Sequence, residues 1–448
     1  MTNDIYSIFK KASETIQSYS KDTRVRVVSH YDADGITSAA IICKALYRSG
    51  YNFHASLMRN PFDKGLERIS KEDNEIVIYS DMGSGQIETI EKMDFKSIII
   101  DHHQPLKKKT EQNVLQINCN YYGINGSYEA CGATLSYLLA KALDKKNKDL
   151  SSLAITGASG DKQYIGEFRG LNKKIIDEAI RNEAIKEKTT IKLPGENIYD
   201  SLYYSIDPYY SGISGNKKEI EILLKKIGIE KDGTFESLSE DKKKKLQSYL
   251  MFILIKNGCE KNILDTIIRT RFYTKIFDLE SESLADLLDS CGKSGNRGIG
   301  LSVALGDKKS FQQAIKVEKE YKEKILKEII ILEKKGFKEK KSYRYFYAND
   351  SSTGGVIAGI ATNFMLDTKK PLLSIVKKDN ELHISCRGTQ KLVKKGLDLG
   401  FAMKEVSKKL NGHGGGHAIA SGATIDFEKE KDFLEITDKI IADQIKGL

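Results

Sequence analysis

The sequence predicts an α/β protein: an N-terminal parallel-sheet domain, a helical middle with a long connecting helix, and a smaller C-terminal α/β domain. Three observations carry that prediction. Within the first 160 residues, short apolar runs alternate with segments of helical period. A charged helical pattern then runs from about 308 to 336 without Gly or Pro before Gly336. The final stretch, 341–448, returns to short strands and Gly-rich turns.

The apolar runs are Val25-Arg26-Val27-Val28, Glu75-Ile76-Val77-Ile78-Tyr79, Ser97-Ile98-Ile99-Ile100 and Val114-Leu115-Gln116-Ile117. Helical stretches lie at about 35–49, 86–93 and 132–144. Strands separated by helices assemble into a parallel sheet covered on both faces. In such sheets ligands bind beyond the carboxyl ends of the strands. Residues 173–300 read as mostly helical, and helices are expected near 354–367 and 430–446. The expected domains are 1–180, 181–305 as a helical middle, 306–338 as the connecting helix, and 339–448.

A chain of 448 residues, 30% charged and 40% hydrophobic, suits a multidomain globular protein. No run approaches the ~18 consecutive apolar residues of a membrane span, and no secretory signal is visible, so no membrane role is expected. Six cysteines are scattered, none in a Cys-x-x-Cys pair. That pattern predicts a reducing, cytoplasmic setting and excludes a zinc ribbon or disulfide framework. A net charge of +10 suits a polyanionic partner.

The polar residues that follow the apolar runs are unusual. The first run leads to His30, Asp32 and Asp34, alternate residues that an extended backbone points one way. The second leads to Asp81 and the third to Asp101-His102-His103. The apolar segment Leu153–Ala158 leads to Asp161. Only seven histidines occur in the chain, and two stand together here. Asp is rarely buried unless paired or ligating a metal. Imidazole mixed with carboxylates suits Mn²⁺ or Mg²⁺, and a set of this size can hold two ions, a constellation suited to phosphoester hydrolysis.

A second signal is Asn411-Gly412-His413-Gly414-Gly415-Gly416-His417-Ala418, whose glycines leave backbone N–H groups open to an anion; a flexible turn is the plainer reading. Ser385-Cys386-Arg387 follows an expected strand, and Arg387 can fork onto a phosphate or form a surface salt bridge. Thr353-Gly354-Gly355 opens a helix, either as an anion site or as an ordinary cap.

Together these residues resemble the DHH phosphoesterase superfamily. His30-Tyr31-Asp32-Ala33-Asp34-Gly35, Asp81, Asp101-His102-His103 and Asp161 match its N-terminal motifs, and Gly412–His417 match the DHH-associated C-terminal domain. Within the superfamily the chain looks most like RecJ-type nucleases, in the archaeal branch related to the GINS-associated nuclease. The long interval between Asp161 and His413 fits that branch.

The resemblance implies that Asp34, Asp81, His102 and Asp161 hold one Mn²⁺ or Mg²⁺, and that His30, Asp32 and Asp81 hold a second, with Asp81 shared. It implies that Asp101 orients a ligand and that His103 meets the scissile phosphate. Ser385, Arg387, His413, Gly414, Gly415, Gly416 and His417 would grip the phosphates of the strand end. The implied activity is hydrolysis of single-stranded DNA in the 5′→3′ direction, with RNA as a further substrate, in DNA repair or replication. The same superfamily offers alternatives: a nanoRNase or cyclic-dinucleotide phosphodiesterase, or a scaffold that binds GINS in the replisome.

Overall fold

The computed structural model describes residues 5–59, 64–193 and 195–445. They form two compact units, Met1–Thr190 with Arg269–Glu318, and Ile191–Ile268 with Lys319–Leu448.

The first unit is built on a five-stranded sheet of β1 (Arg24–His30), β2 (Asn52–Met58), β3 (Ile76–Ser80), β4 (Lys96–Asp101) and β5 (Val114–Asn118). The strands are all parallel, in the order β2-β1-β3-β4-β5. Every carboxyl end therefore opens on one edge. Val25, Val27, Ile76, Ile78, Ile98 and Ile100 face a core shared with the helices Ile5–Gln17, Ala33–Arg48, Gly132–Leu143 and Ser151–Gly160. Val28, Val77, Tyr79 and Ile99 face the opposite side, where Leu66, Ile69, Ile87 and Ile90 cover them. Burial on both faces explains why the central strands read as continuous apolar runs. β2 escaped the sequence reading because it is an edge strand whose Asn52-Phe53-His54-Ala55-Ser56 stretch stays partly exposed.

A buried arginine lies inside this sheet. Arg26 on β1 is 1% exposed. Its guanidinium donates to Glu72 Oε2 at 2.6 Å, Ser56 Oγ at 2.7 Å and the His54 carbonyl at 3.0 Å. A buried charge requires such partners.

The helical middle is interrupted by a two-stranded sheet, β6 (Ile185–Ile191) with β7 (Ile268–Thr274). The helices Ile198–Tyr203, Lys217–Ile227 and Glu240–Lys256 lie between these strands and belong to the second unit. The helices Ser281–Lys293 and Arg297–Leu305 return to the first. The stretch 181–305 is thus divided between the units. The 28-residue helix Lys308–Lys335 is unbroken, as its lack of Gly and Pro predicts.

The C-terminal sheet contains β8 (Lys338–Glu339), β9 (Arg344–Tyr347), β10 (Leu372–Lys378), β11 (Glu381–Arg387), β12 (His413–Gly416) and β13 (Ala420–Asp426), in the order β12-β13-β11-β10-β9-β8. Only β9 and β10 run parallel. Leu373, Ile375, Leu382, Ile384 and Cys386 pack on one face with Leu399, Met403, Val406, Phe433 and Ile441 from the helices Leu399–Lys409 and Glu430–Gln444. The helix Ser351–Phe364 lies against Ser374 and Ser385 on the other face.

Arg26→Ala removes the cation and leaves Glu72, Ser56 and the His54 carbonyl without this donor. Urea denaturation is expected to show a loss of about 2–4 kcal/mol. A loss below about 0.5 kcal/mol, the range of ordinary surface substitutions, would exclude a structural role for this ion pair.

Candidate metal centre

Four elements deliver the predicted ligands to one edge of the N-terminal sheet. β1 ends at His30, and Asp32 caps the helix Ala33–Arg48 by accepting from the Gly35 N–H at 3.0 Å. Gly35 is required because a Cβ there would run into the His30 carbonyl. β3 leads to Asp81, which adopts φ +56° while its N–H donates to the Ile100 carbonyl at 2.8 Å. Asp tolerates this left-handed conformation better than most residues. β4 ends at Asp101, with His102 and His103 next.

The fourth contributor comes from a helix. Asp161 follows the helix Ser151–Gly160, formed by the apolar segment Leu153–Ala158 that the sequence left unassigned as helix or strand. Nearly every residue of that helix is buried. A short apolar run buried all round carries no periodicity to separate helix from strand.

The side chains converge. His102 Nε2 lies 3.2 Å from Asp81 Oδ1, 3.4 Å from Asp161 Oδ2 and 3.7 Å from Asp34 Oδ2. His30 Nδ1 lies 2.8 Å from Asp32 Oδ2 and 3.6 Å from Asp81 Oδ2. Two ligand groups result, Asp34–His102–Asp161 and His30–Asp32–Asp81, and a further grouping joins Asp81 to His102 and His103. The Asp81 carboxylate reaches both His30 and His102, one oxygen toward each.

Residues that sequence reasoning did not name hold these groups in place. His102 Nδ1 lies 2.6 Å from the Gly126 carbonyl, which can only accept a hydrogen bond. Nδ1 therefore carries the proton, and in the neutral ring the Nε2 lone pair faces three carboxylates. Asp34 accepts from the Gly132 and Ala133 N–H groups, at 2.6 and 2.8 Å, at the start of the helix Gly132–Leu143. A Cβ at Gly132 would sit 2.6 Å from Asp81 Cβ, and one at Gly157 would sit 2.5 Å from Asp34 Oδ1. The one signal for this in the sequence was a glycine opening a helical pattern.

Asp101 is occupied differently. Its carboxylate accepts from Ser84 N at 2.9 Å, His102 N at 2.8 Å and His103 N at 3.1 Å. It also lies 2.8 Å from His103 Nδ1. Its oxygens are thus spent on protein donors. They fix the His103 ring, which remains half exposed.

The electrostatics favour a cation in the centre. Burial, then the neighbouring Asp81 and Asp161 charges, hold Asp34 well above the usual carboxylate range. Burial, opposed by His102 and reinforced by Asp81 and Asp32, pushes Asp161 up to about 7. Burial works against a charged His102, yet Asp81, Asp161 and Asp34 raise it well above an ordinary histidine. Burial would raise Asp101, but His103 holds it far below the carboxylate range. Asp81 Oδ1 is buried and meets no donor in hydrogen-bonding geometry. An orphaned carboxylate oxygen and a mixed imidazole–carboxylate donor set fit a divalent cation such as Mn²⁺ or Mg²⁺.

In the C-terminal unit, Ser385 and Arg387 lie on the same side of β11. Arg387 Nη1 donates to the Cys386 carbonyl at 2.8 Å. Ser385 pairs with Gly422, which pairs in turn with Gly415, so one row crosses three strands. The glycine-rich element is the edge strand β12 rather than a loop. Gly415, at φ +155°, has open space where a Cβ would stand, while His413, Gly414 and Gly416 are exposed. His417 turns the chain into β13, its N–H donating to the Ala420 carbonyl at 2.8 Å. The Thr353-Gly354-Gly355 helix start is an ordinary cap, because Asp350 fills it by accepting from the Ser352 N–H at 2.7 Å.

Comparison with known proteins agrees with this architecture. The model of the DHH family, N-terminal domain, matches residues 24–159, and that of the DHHA1 domain matches residues 340–443. An uncharacterized protein of Methanocaldococcus jannaschii is 32% identical over 429 residues, 94% of each chain. Among solved structures, CDC45 from Entamoeba histolytica superposes with a TM-score of 0.66 at 15% identity, covering 98% of this chain and 99% of that one. RecJ in complex with Mn²⁺ from Thermus thermophilus gives a TM-score of 0.62 at 15% identity, covering 97% of this chain and 55% of that one. At such identity the structural likeness concerns the fold.

The raised Asp161 pKa makes a signed prediction. Unfolded, Asp161 ionises at about 4; folded and metal-free, it does so at about 7. Between these values the unfolded state binds fewer protons, so this group's contribution to stability falls as pH rises. The melting temperature of chelator-treated protein should drop across that window. Saturating Mn²⁺ should remove the drop by holding the carboxylate ionised. A flat profile that Mn²⁺ does not alter would refute the metal centre.

Proposed function

The chain belongs to the DHH family, and on that premise we propose that it is a metal-dependent exonuclease that hydrolyses single-stranded DNA, and RNA as a further substrate, from the 5′ end. The observation that carries this reading is the convergence of Asp34, Asp81, Asp161 and His102, with His30 and Asp32 beside them.

Asp34, Asp81, His102 and Asp161 would hold one divalent cation, and His30, Asp32 and Asp81 a second. Bound cations would supply an activated water and neutralise charge on the phosphate. The protein supplies the rest. Gly126 keeps the His102 proton on Nδ1, so Nε2 stays available as a ligand. Asp101 holds His103 Nδ1, and Asp101 and Asp81 favour the imidazolium against the opposing effects of burial and His102. His103 can then donate from Nε2 to a phosphate or leaving oxygen. In the other unit, Arg387, Ser385, His413, His417 and the Gly414–Gly416 backbone would bind the phosphates of the strand end.

A scaffold role in the replisome, with a partner such as GINS, is compatible with catalysis but explains less. Binding alone gives no reason to keep so many like charges buried together.

The test is digestion of 5′- and 3′-labelled single strands with Mn²⁺, Mg²⁺ or EDTA. Mononucleotides should appear with Mn²⁺ and vanish with EDTA. Asp81→Ala should fall to background. Asp101→Asn, which weakens the acceptor shared by Ser84, His102 and His103 without removing a candidate ligand, should cost roughly 10–100-fold. Full activity in Asp81→Ala would defeat the metal assignment. Hydrolysis confined to the shortest oligonucleotides or to cyclic dinucleotides would favour a small-substrate phosphodiesterase.

A further inference from the structure

The helix Leu399–Lys409 lies in backbone contact with β12. A Cβ on Gly414 would sit 2.5 Å from the Met403 carbonyl and 2.7 Å from Ser407 Oγ, and one on Gly400 would collide with the Gly416 carbonyl. Lys404 stands one helical turn from both Gly400 and Ser407, so it flanks the strand directly. Phe401, Lys404 and Lys408 fall on one side of this helix. All three are exposed, Phe401 by 54%.

The two lysines also lack counter-charges. Elsewhere in this unit, Lys324, Lys340 and Lys377 are neutralised by Asp350, Glu435 and Glu430. Lys404 and Lys408 have no acidic partner among the described residues. An exposed ring beside unpaired cations, bordering a strand with exposed glycine backbone, has the composition of a surface that stacks bases and follows a phosphate backbone.

We infer that Phe401, Lys404 and Lys408 form a track for single-stranded polynucleotide, continuing the path of the strand beyond the phosphates bound at β12. The inference rests on the proposed nuclease reading and extends it. Phe401 stacks a base, and Lys404 and Lys408 each neutralise one phosphate. The track suits a long strand and gives no advantage to a dinucleotide.

The test uses the full chain in EDTA, where hydrolysis is stopped, and follows a labelled oligothymidylate by fluorescence anisotropy across a salt series. For Lys404→Gln with Lys408→Gln, the slope of log affinity against log salt should shrink by about 1.4, at ~0.7 for each phosphate no longer neutralised. The double Lys→Arg variant should keep the slope. Phe401→Ala should weaken binding roughly tenfold. All three positions are exposed, so unchanged melting temperatures verify the fold. Variants that bind like the wild type overturn the track while leaving the nuclease reading intact. A wild-type chain that retains no single strand in EDTA overturns the track, and the nuclease reading falls only if the Mn²⁺ digestion also yields no product. Equal retention of polyglutamate, indifferent to Phe401→Ala, would identify an acidic-protein surface and also overturn the track.

Discussion

Asp34 and Asp81, both buried, and the partly exposed Asp161 meet around His102, where like charges repel and little water is at hand to screen them. The surrounding structure holds them there against that repulsion. The start of the helix Gly132–Leu143 offers two amides to Asp34, and its glycine lets Asp81 approach. A helix N-terminus carries partial positive charge, so it supports a carboxylate without neutralising it. Asp81 accepts an uncommon backbone conformation to bring one oxygen toward each of His30 and His102. Strain of this kind persists only where the neighbouring structure over-determines it.

The support reaches far along the chain. Asp289, on the helix Ser281–Lys293, accepts from the Ala33 N–H at 2.8 Å, between Asp32 and Asp34. Gly292 of the same helix leaves room for the Tyr31 carbonyl. Ser281 Oγ meets Ser159 Oγ at 3.1 Å, two residues before Asp161. The helix that follows the inserted segment therefore contacts the elements carrying both groups of candidate ligands. The inserted helices of 191–268 belong to the other unit, yet the chain must return from them to complete this arrangement.

Much of the site was legible because its residues are chemically conspicuous. Carboxylates and adjacent histidines at the ends of apolar runs seldom arise from packing alone, and the parallel sheet placed those ends together. The supporting residues were not legible. Gly126, Gly132 and Gly157 act by what they lack, and nothing in their types distinguishes them from turn glycines. Asp289 looks like any acidic residue on an amphipathic helix. The edge strand β2 and the pair β6 and β7 were missed because their polar, half-exposed sequences give no sustained run. The glycine-rich β12 reads as a loop in the sequence because glycine is a poor strand former. Here the absence of side chains lets the helix Leu399–Lys409 press against the strand.

Asp81 answers to two selections at once. In the proposed mechanism its carboxylate serves the chemistry, while its φ of +56° is a demand of the backbone alone. Such a conformation is accessible to Gly, Asn and Asp and costly for β-branched residues. A chain of this fold released from hydrolysis could discard the charge but would still inherit the turn. Divergence at this position should therefore run first to Asn or Gly. A relative carrying either residue there would bear the trace of a lost activity on a fold that was kept.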